Sequence, residues 1–249
     1  MSVSASDSDH DHGGRDVIRS EESDDEARRE LRQAVQATLA AGSARVRYTM
    51  DANPPELADY DIGEGVADFR TRRSRTAYKT AATNGPSERS PDPEFEQVTE
   101  FEQVIEREAA YVRFGGPSGE WIECELGEPG EFAARGDASG FLELLNAPGK
   151  VVRLATDAQF DGKPARCHTF VIDPPRSSLR DRLINAFGVQ GPSRFWVDAW
   201  TDAEGRVRRI AASDHAPNPD GALPPGAVRT TVEFSELGVS APVVVPPTT

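Results

Sequence analysis

Between Ser193 and Ala212 the chain reads SRFWVDAWTDAEGRVRRIAA, in which Phe195, Val197 and Ala199 alternate with Trp196, Asp198 and Trp200. A strict period of two puts successive side chains on opposite faces of a strand, so this run specifies a strand with one buried face. Asp202-Ala203-Glu204-Gly205 then reads as a turn closed by a glycine that can take positive φ, and Val207 and Ile210 resume the pattern among three arginines. The stretch is a long β-hairpin. A chain carrying it must supply antiparallel neighbours and something apolar for its inner face to pack on.

The remaining composition limits what can do this. Hydrophobic residues make up 37% of 249 residues and the formal net charge is −14. Such a balance fits a sheet with one solvated face, or a chain with a disordered part. The charge argues against non-specific nucleic-acid binding and against an anionic membrane surface. Only Cys124 and Cys167 occur, which excludes a disulfide-rich scaffold and a four-thiolate zinc site. No run of apolar residues approaches a membrane span, and the first residues carry neither an apolar signal segment nor a cysteine to accept a lipid. As written, the chain is expected to be cytoplasmic.

Residues 1–24 are a polar tail, and the first 30 residues hold ten acids against four arginines, a composition expected to be disordered. The Asp9-His10-Asp11-His12 run reads as solvated low complexity. A single domain is expected over 25–249. Ser23 and Glu26 have capping-box spacing and predict a helix over Asp24–Ala41, with Leu31, Val35, Thr38 and Leu39 on one face and Gly42 ending it. Strands or hairpins are predicted at Ala44–Met50, Ile62–Thr80 turning near Arg72, Ala110–Leu126, Val151–Ile172 turning at Asp161-Gly162, and Val228–Phe234. Phe95–Arg107 alternates like a strand, although its Glu and Gln content leaves a helix open. Two further short helices are predicted, Ser139–Asn146 and Ser178–Phe187, and Val243–Val245 forms an apolar extended end.

One helix followed by hairpin after hairpin is an antiparallel α+β layout, mainly β, and not the alternation that builds a parallel sheet. A meander of roughly ten strands must curl, because each pair adds right-handed twist. The predicted architecture is an open antiparallel half-barrel whose concave face is covered by the two or three short helices. Helices that fill the concavity make it a core; helices that leave a gap make it an apolar pocket.

Several segments in this order resemble a known group. They are AVQATLAAGSARVRYTM, GEGVADFRTRRSR, YVRFGGPSGEWIECEL, LLNAPGKVVRLATDAQFDGKPARCHTFVID, FWVDAWTDAEGRVRRIAASD and TTVEFSELGVSAPVVVPP. Together they are similar to the actinobacterial lipoproteins of the LppX and LprG group, within the wider LolA/LolB/RseB-like half-barrels. The strongest pieces are the hairpin with Trp200, Asp202, Gly205, Arg206, Val207, Arg208 and Arg209, and the closing TTVEFSELG strand. The resemblance implies an unclosed barrel wrapped round a helix, with an inner cavity for the acyl chains of lipids or lipoproteins. Relatives in that group are typically exported with a lipidated N-terminal cysteine, whereas this chain begins with the acidic tail.

The candidate wall residues of such a pocket are Trp121, Trp196, Trp200, Phe195, Phe101, Leu183 and Phe187, since aromatic and aliphatic groups suit an acyl chain. The arginines at 70, 72, 73 and 75 and at 206, 208 and 209 flank two turns, where they could clamp an anion or stand as solvated turn charge. Cys167 and His168 are adjacent on a strand and point to opposite faces, so they do not chelate one ion together. A Cys124–Cys167 disulfide requires the two hairpins to be sheet neighbours. Ser213-Asp214-His215 cannot form a spatial triad from consecutive loop positions, and no nucleophile elbow, dinucleotide fingerprint or phosphate loop occurs. No catalytic residue, metal or cofactor is expected. A binding protein with a lipid or other apolar ligand is the primary reading; a protein-interaction or sensory domain with a packed concavity is the alternative.

Overall fold

The computed structural model describes residues 21–53, 62–79, 100–106, 109–125, 137–147, 149–172, 194–216, 218, 222–240 and 242–246. The chain enters through helix α1 (Glu21–Ala40), which starts upstream of the predicted cap, so Ser23 lies within the helix rather than at its N-cap. Its buried stripe is Ala27, Leu31, Ala34, Val35 and Thr38. Gly42, at φ +82°, turns the backbone left-handed, while Ala41 and Gly42 donate to the Thr38 and Leu39 carbonyls at 3.2 and 3.0 Å.

Among the described residues, eleven strands follow in one antiparallel sheet. They are β1 (Ser43–Ala52), β2 (Ile62–Asp68), β3 (Arg73–Lys79), β4 (Glu100–Glu106), β5 (Ala109–Phe114), β6 (Trp121–Glu125), β7 (Gly149–Phe160), β8 (Lys163–Ile172), β9 (Phe195–Thr201), β10 (Val207–Ser213) and β11 (Val228–Ser235). Their order, β6-β5-β4-β3-β2-β1-β11-β10-β9-β8-β7, shows how the chain travels. It runs outward from the centre to one edge, crosses with helix α2 (Ala138–Leu144) to the other edge, and returns to the centre. The edge strands β6 and β7 do not pair with each other, so the barrel is open, as expected. Phe95–Arg107 resolves as a strand over Glu100–Glu106, with the rest of that prediction outside the described residues. The helix predicted at Ser178–Phe187 also lies outside them.

The turns carry the local chemistry that the hairpins need. Asp161 and Gly162 take φ of 50° and 70°, the paired positive angles of a two-residue hairpin turn between β7 and β8. Asp202 Oδ1 accepts the Glu204 and Arg206 amides at 3.1 and 2.8 Å, and Gly205 sits at φ +71°. The register between β10 and β9 shifts between Val207 and Arg209. The Val207 amide at this bulge is received by α1: Thr38 Oγ1 accepts it at 2.8 Å while donating to the Ala34 carbonyl at 2.8 Å. This buried exchange fixes the helix against the concave face.

One row of side chains crosses the concave face in register. From the β5 side it runs Phe114, Phe101, Tyr78, Gly63, Tyr48, Val232, Ile210, Ala199 and His168. Tyr78 stacks on Phe101 with centroids 4.6 Å apart, and Tyr48 meets Tyr78 at 6.1 Å across β2. Gly63 permits that meeting, since a Cβ there would stand 2.5 Å from the Tyr78 ring. Phe141 of α2 packs on Tyr48 at 6.3 Å, and Arg72, in the β2–β3 turn, holds Glu143 of α2 at 2.7 Å. Asp137 caps α2, its Oδ1 accepting the Gly140 amide at 2.8 Å.

The convex face is built from charge and a small apolar cluster. Glu102 of β4 lies between Arg75 of β3 and Arg113 of β5, with Arg73–Glu106 alongside. Val243 packs on Val104 and Tyr111, so the apolar extended end lies against the outside of the sheet.

Thr38→Val is expected to leave the buried Val207 amide without its acceptor and to cost about 1–3 kcal/mol in urea unfolding. Gly63→Val is expected to force the Tyr78 ring aside, for about 1–3 kcal/mol in the same assay. Unchanged midpoints in both variants would contradict this account of the core. Burial of the Glu102 carboxyl raises its pKa, but the hydrogen bonds and charges of Arg75 and Arg113 outweigh this and hold it below the ordinary range. A folded pKa below the unfolded one stabilises above the ordinary carboxylate pKa, and the gain is lost as pH falls through the folded value. Glu102→Gln should therefore lower stability at neutral pH by about 0.5–1 kcal/mol, since solvent screens these partly exposed pairs, and converge on the parent at acidic pH. A pH-independent difference would rule out the ion pairs as its cause.

Candidate functional site

The alternation of each strand sorts the sequence-derived wall residues. Phe195 and Phe101 lie on the concave face, 0% and 3% exposed, within one apolar cluster with Val197, Phe170 and Ile172. Trp196 and Trp200 do not join them. They occupy the opposite pleat of β9, half-buried on the convex face, where the Arg209 guanidinium lies 4.7 Å from the Trp200 ring. Trp121 is also convex, opposite Arg113, whose guanidinium stands 4.7 Å from its ring. The three tryptophans thus lie on the outer surface rather than the pocket wall: period two places Trp196 and Trp200 opposite Phe195 and Ala199, and Trp121 pairs with the convex Arg113. Leu183 and Phe187 lie outside the described residues.

The concave side opens at one end in a cleft of about 550 Å³. Three pieces of chain form it: Glu30, Gln33, Ala34 and Ala37 of α1; Pro164 to Arg166 and His168 of β8; and Thr201 to Gly205 at the β9–β10 turn. The helix contribution follows i, i+3, i+4, i+7 spacing, a stripe flanking the buried one. Ala34, Ala165, Thr201 and His168 are buried and give the cleft a floor. His168 also belongs to the row that crosses the concave face, which pairs on to Leu154 of β7, so cleft and inner face share this residue. Glu30 and the β9–β10 turn were absent from the sequence-derived candidates. The signal that could have found them is the stripe of small and polar residues beside the apolar face of α1.

The charges at the cleft are paired. Arg166, exposed on β8, donates to Glu30 of α1 at 3.1 Å. Arg206 reaches Asp202 at 2.9 Å and Glu204 at 2.9 Å, and Arg208 lies 3.8 Å from Asp202. The hydrogen bond to Asp202 is the largest of the effects that push the Arg206 pKa above its ordinary value, against the opposing effect of burial. The turn arginines therefore serve neighbouring carboxylates, and those near 72–75 do likewise through Glu143, Glu106 and Glu102.

Other chemistry-bearing residues have structural uses. The Asp214 carboxylate accepts the Val228 amide at 3.0 Å, fixing the start of β11, and lies 2.9 Å from His215 Nδ1. Cys167 faces outward opposite Trp200 while His168 faces inward. β6, which carries Cys124, is one edge of the sheet and β8 lies beside the other edge, so the neighbour relation that a disulfide requires is not met. No group of three or more His, Cys, Asp and Glu residues able to hold a metal occurs among the described residues. No helix among them is long and apolar enough to cross a membrane.

No family model matches the chain, and no curated protein matches its sequence. Solved structures do match its fold. LprF from Mycobacterium bovis aligns over 90% of this chain and 97% of its own, with TM-score 0.52 and 15% identity. The Mycobacterium tuberculosis lipoprotein LppX aligns over 89% and 100%, with TM-score 0.54 and 12% identity. The resemblance read from the order of segments therefore holds at the level of architecture: the chain shares the fold of LprF and LppX.

Proposed function

We propose that the protein is a non-enzymatic binding protein that takes up an apolar, acyl-chain ligand from the concave side of its half-barrel. The observation carrying this reading is the cleft of about 550 Å³ between α1 and β8–β9, whose buried floor continues into the apolar inner row through His168. Its size lies within the range of small-molecule sites. Ala34, Ala37 and Ala165 supply a surface without bulky side chains, against which a methylene chain can lie. The fold shared with LprF and with the lipoprotein LppX supports the same reading, because the resemblance of the segments implies a half-barrel with an acyl-chain cavity.

A second reading rests on a different observation. Val197, Ala199, Val232 and Phe234 are all 0% exposed, so much of the concavity is already filled. A filled half-barrel serves as a rigid interaction or sensory module whose partner docks on its outside.

Native mass spectrometry of the purified protein, with organic extraction, is expected to reveal a bound apolar molecule. Ala37→Trp should abolish uptake of a fluorescent neutral acyl ester while leaving the unfolding midpoint within about 1 kcal/mol of the parent, because the new ring fills an open cleft rather than a packed core. A protein that is ligand-free and ignores the ester would sink the binding reading. In that case, a partner captured by the full chain and lost on removal of residues 1–24 would support the interaction module.

A further inference from the structure

Resting on the ligand reading above, the charges around the cleft bear on which end of an amphiphile can face the solvent there. Three carboxylates line it, those of Glu30, Asp202 and Glu204, against one guanidinium, that of Arg166. Arg166 is already held by Glu30 at 3.1 Å. Arg206, behind the turn, is shared by Asp202 and Glu204 at 2.9 Å each, and Arg208 lies 3.8 Å from the same Asp202. We infer that the cleft accepts amphiphiles with an uncharged, hydroxyl-bearing head group and rejects those with an anionic one.

The physical argument is one of displacement. Among the described residues named here, an anionic head gains a cation by taking Arg166 from Glu30, Arg206 from its two carboxylates, or Arg208 from the side of Asp202. Each exchange leaves a carboxylate beside a second anion, and the net charge of −14 adds to the repulsion at low salt. A hydroxyl head meets the opposite situation. Carboxylate oxygens are acceptors with several lone-pair sites, so Glu30 and Glu204 can take a hydroxyl hydrogen while keeping their arginines. Gln33, on the exposed side of α1, offers both a donor and an acceptor. Below this rim the lining turns to Ala34, Ala37 and Ala165, which suits the chain that follows the head.

The test compares a monoacylglycerol with an alkyl sulfonate of the same chain length, both below their aggregation limits. Each is used to displace a neutral dye that fluoresces in apolar surroundings. The sulfonate is charged at every working pH, so protonation cannot mask the result. At low salt the monoacylglycerol is expected to displace the dye at roughly tenfold lower concentration, with the gap narrowing at high salt as the field is screened. The double variant Glu30→Gln, Glu204→Gln is expected to close most of the gap by improving sulfonate binding. Equal displacement by both compounds, or a preference for the sulfonate, would overturn the inference. A gap unchanged in the double variant would overturn its assignment to these two residues. Dye that never binds the parent protein would instead count against the ligand reading on which the inference rests.

Discussion

The pairing of β1 with β11 is the constraint on which the rest of the molecule depends. Eight consecutive residue pairs, from Arg45–Ser235 to Ala52–Val228, join strands that lie almost the whole chain apart. Every other strand pair is a local hairpin or a neighbour in sequence order. Without this seam the chain would be two separate meanders, each with an unpaired edge and an uncovered apolar face. With it, the inner row runs unbroken from Phe114 to His168 and one helix can serve both halves.

The seam also locates the cleft. α1 leads directly into β1, so joining β1 to β11 carries the helix across β10, where Thr38 meets the bulge amide of Val207. The bulge is one residue beyond the turn that supplies Asp202 to Gly205, and the helix brings Glu30 and Gln33 to the same place. Cleft and seam are therefore parts of one arrangement. The α2 crossover covers the other half of the concavity through Phe141 on Tyr48, leaving the end near His168 as the described opening.

Much of this was legible in the sequence, and what was not has physical causes. Alternation and turn residues act over a few positions, so the hairpins at Asp161-Gly162 and Asp202–Gly205 could be read directly. The order of hairpins was enough to indicate an open half-barrel; the lipoprotein group came from the resemblance of its segments. The β1–β11 seam was not readable, because nothing local distinguishes one antiparallel partner from another. The role of Gly63 has no local signature, because it depends on Tyr48 and Tyr78 meeting over it from two other strands. For the tryptophans the pattern itself holds the answer: Trp196 and Trp200 share a pleat with Asp198 rather than with Phe195, so parity and not size sets their face. The cleft combines helix α1, β8 and a turn far apart in sequence, and charges paired across such distances leave no local signature.

The central claim is that apolar guests enter at the α1–β8 end and lie on the concave side. A crystal structure of the protein with a monoacylglycerol brominated along its chain tests this most directly. The account predicts anomalous bromine peaks beside Ala34, Ala165 and His168. Peaks on the convex face near Trp196 and Trp200, or no ordered bromine at a saturating concentration, would contradict it.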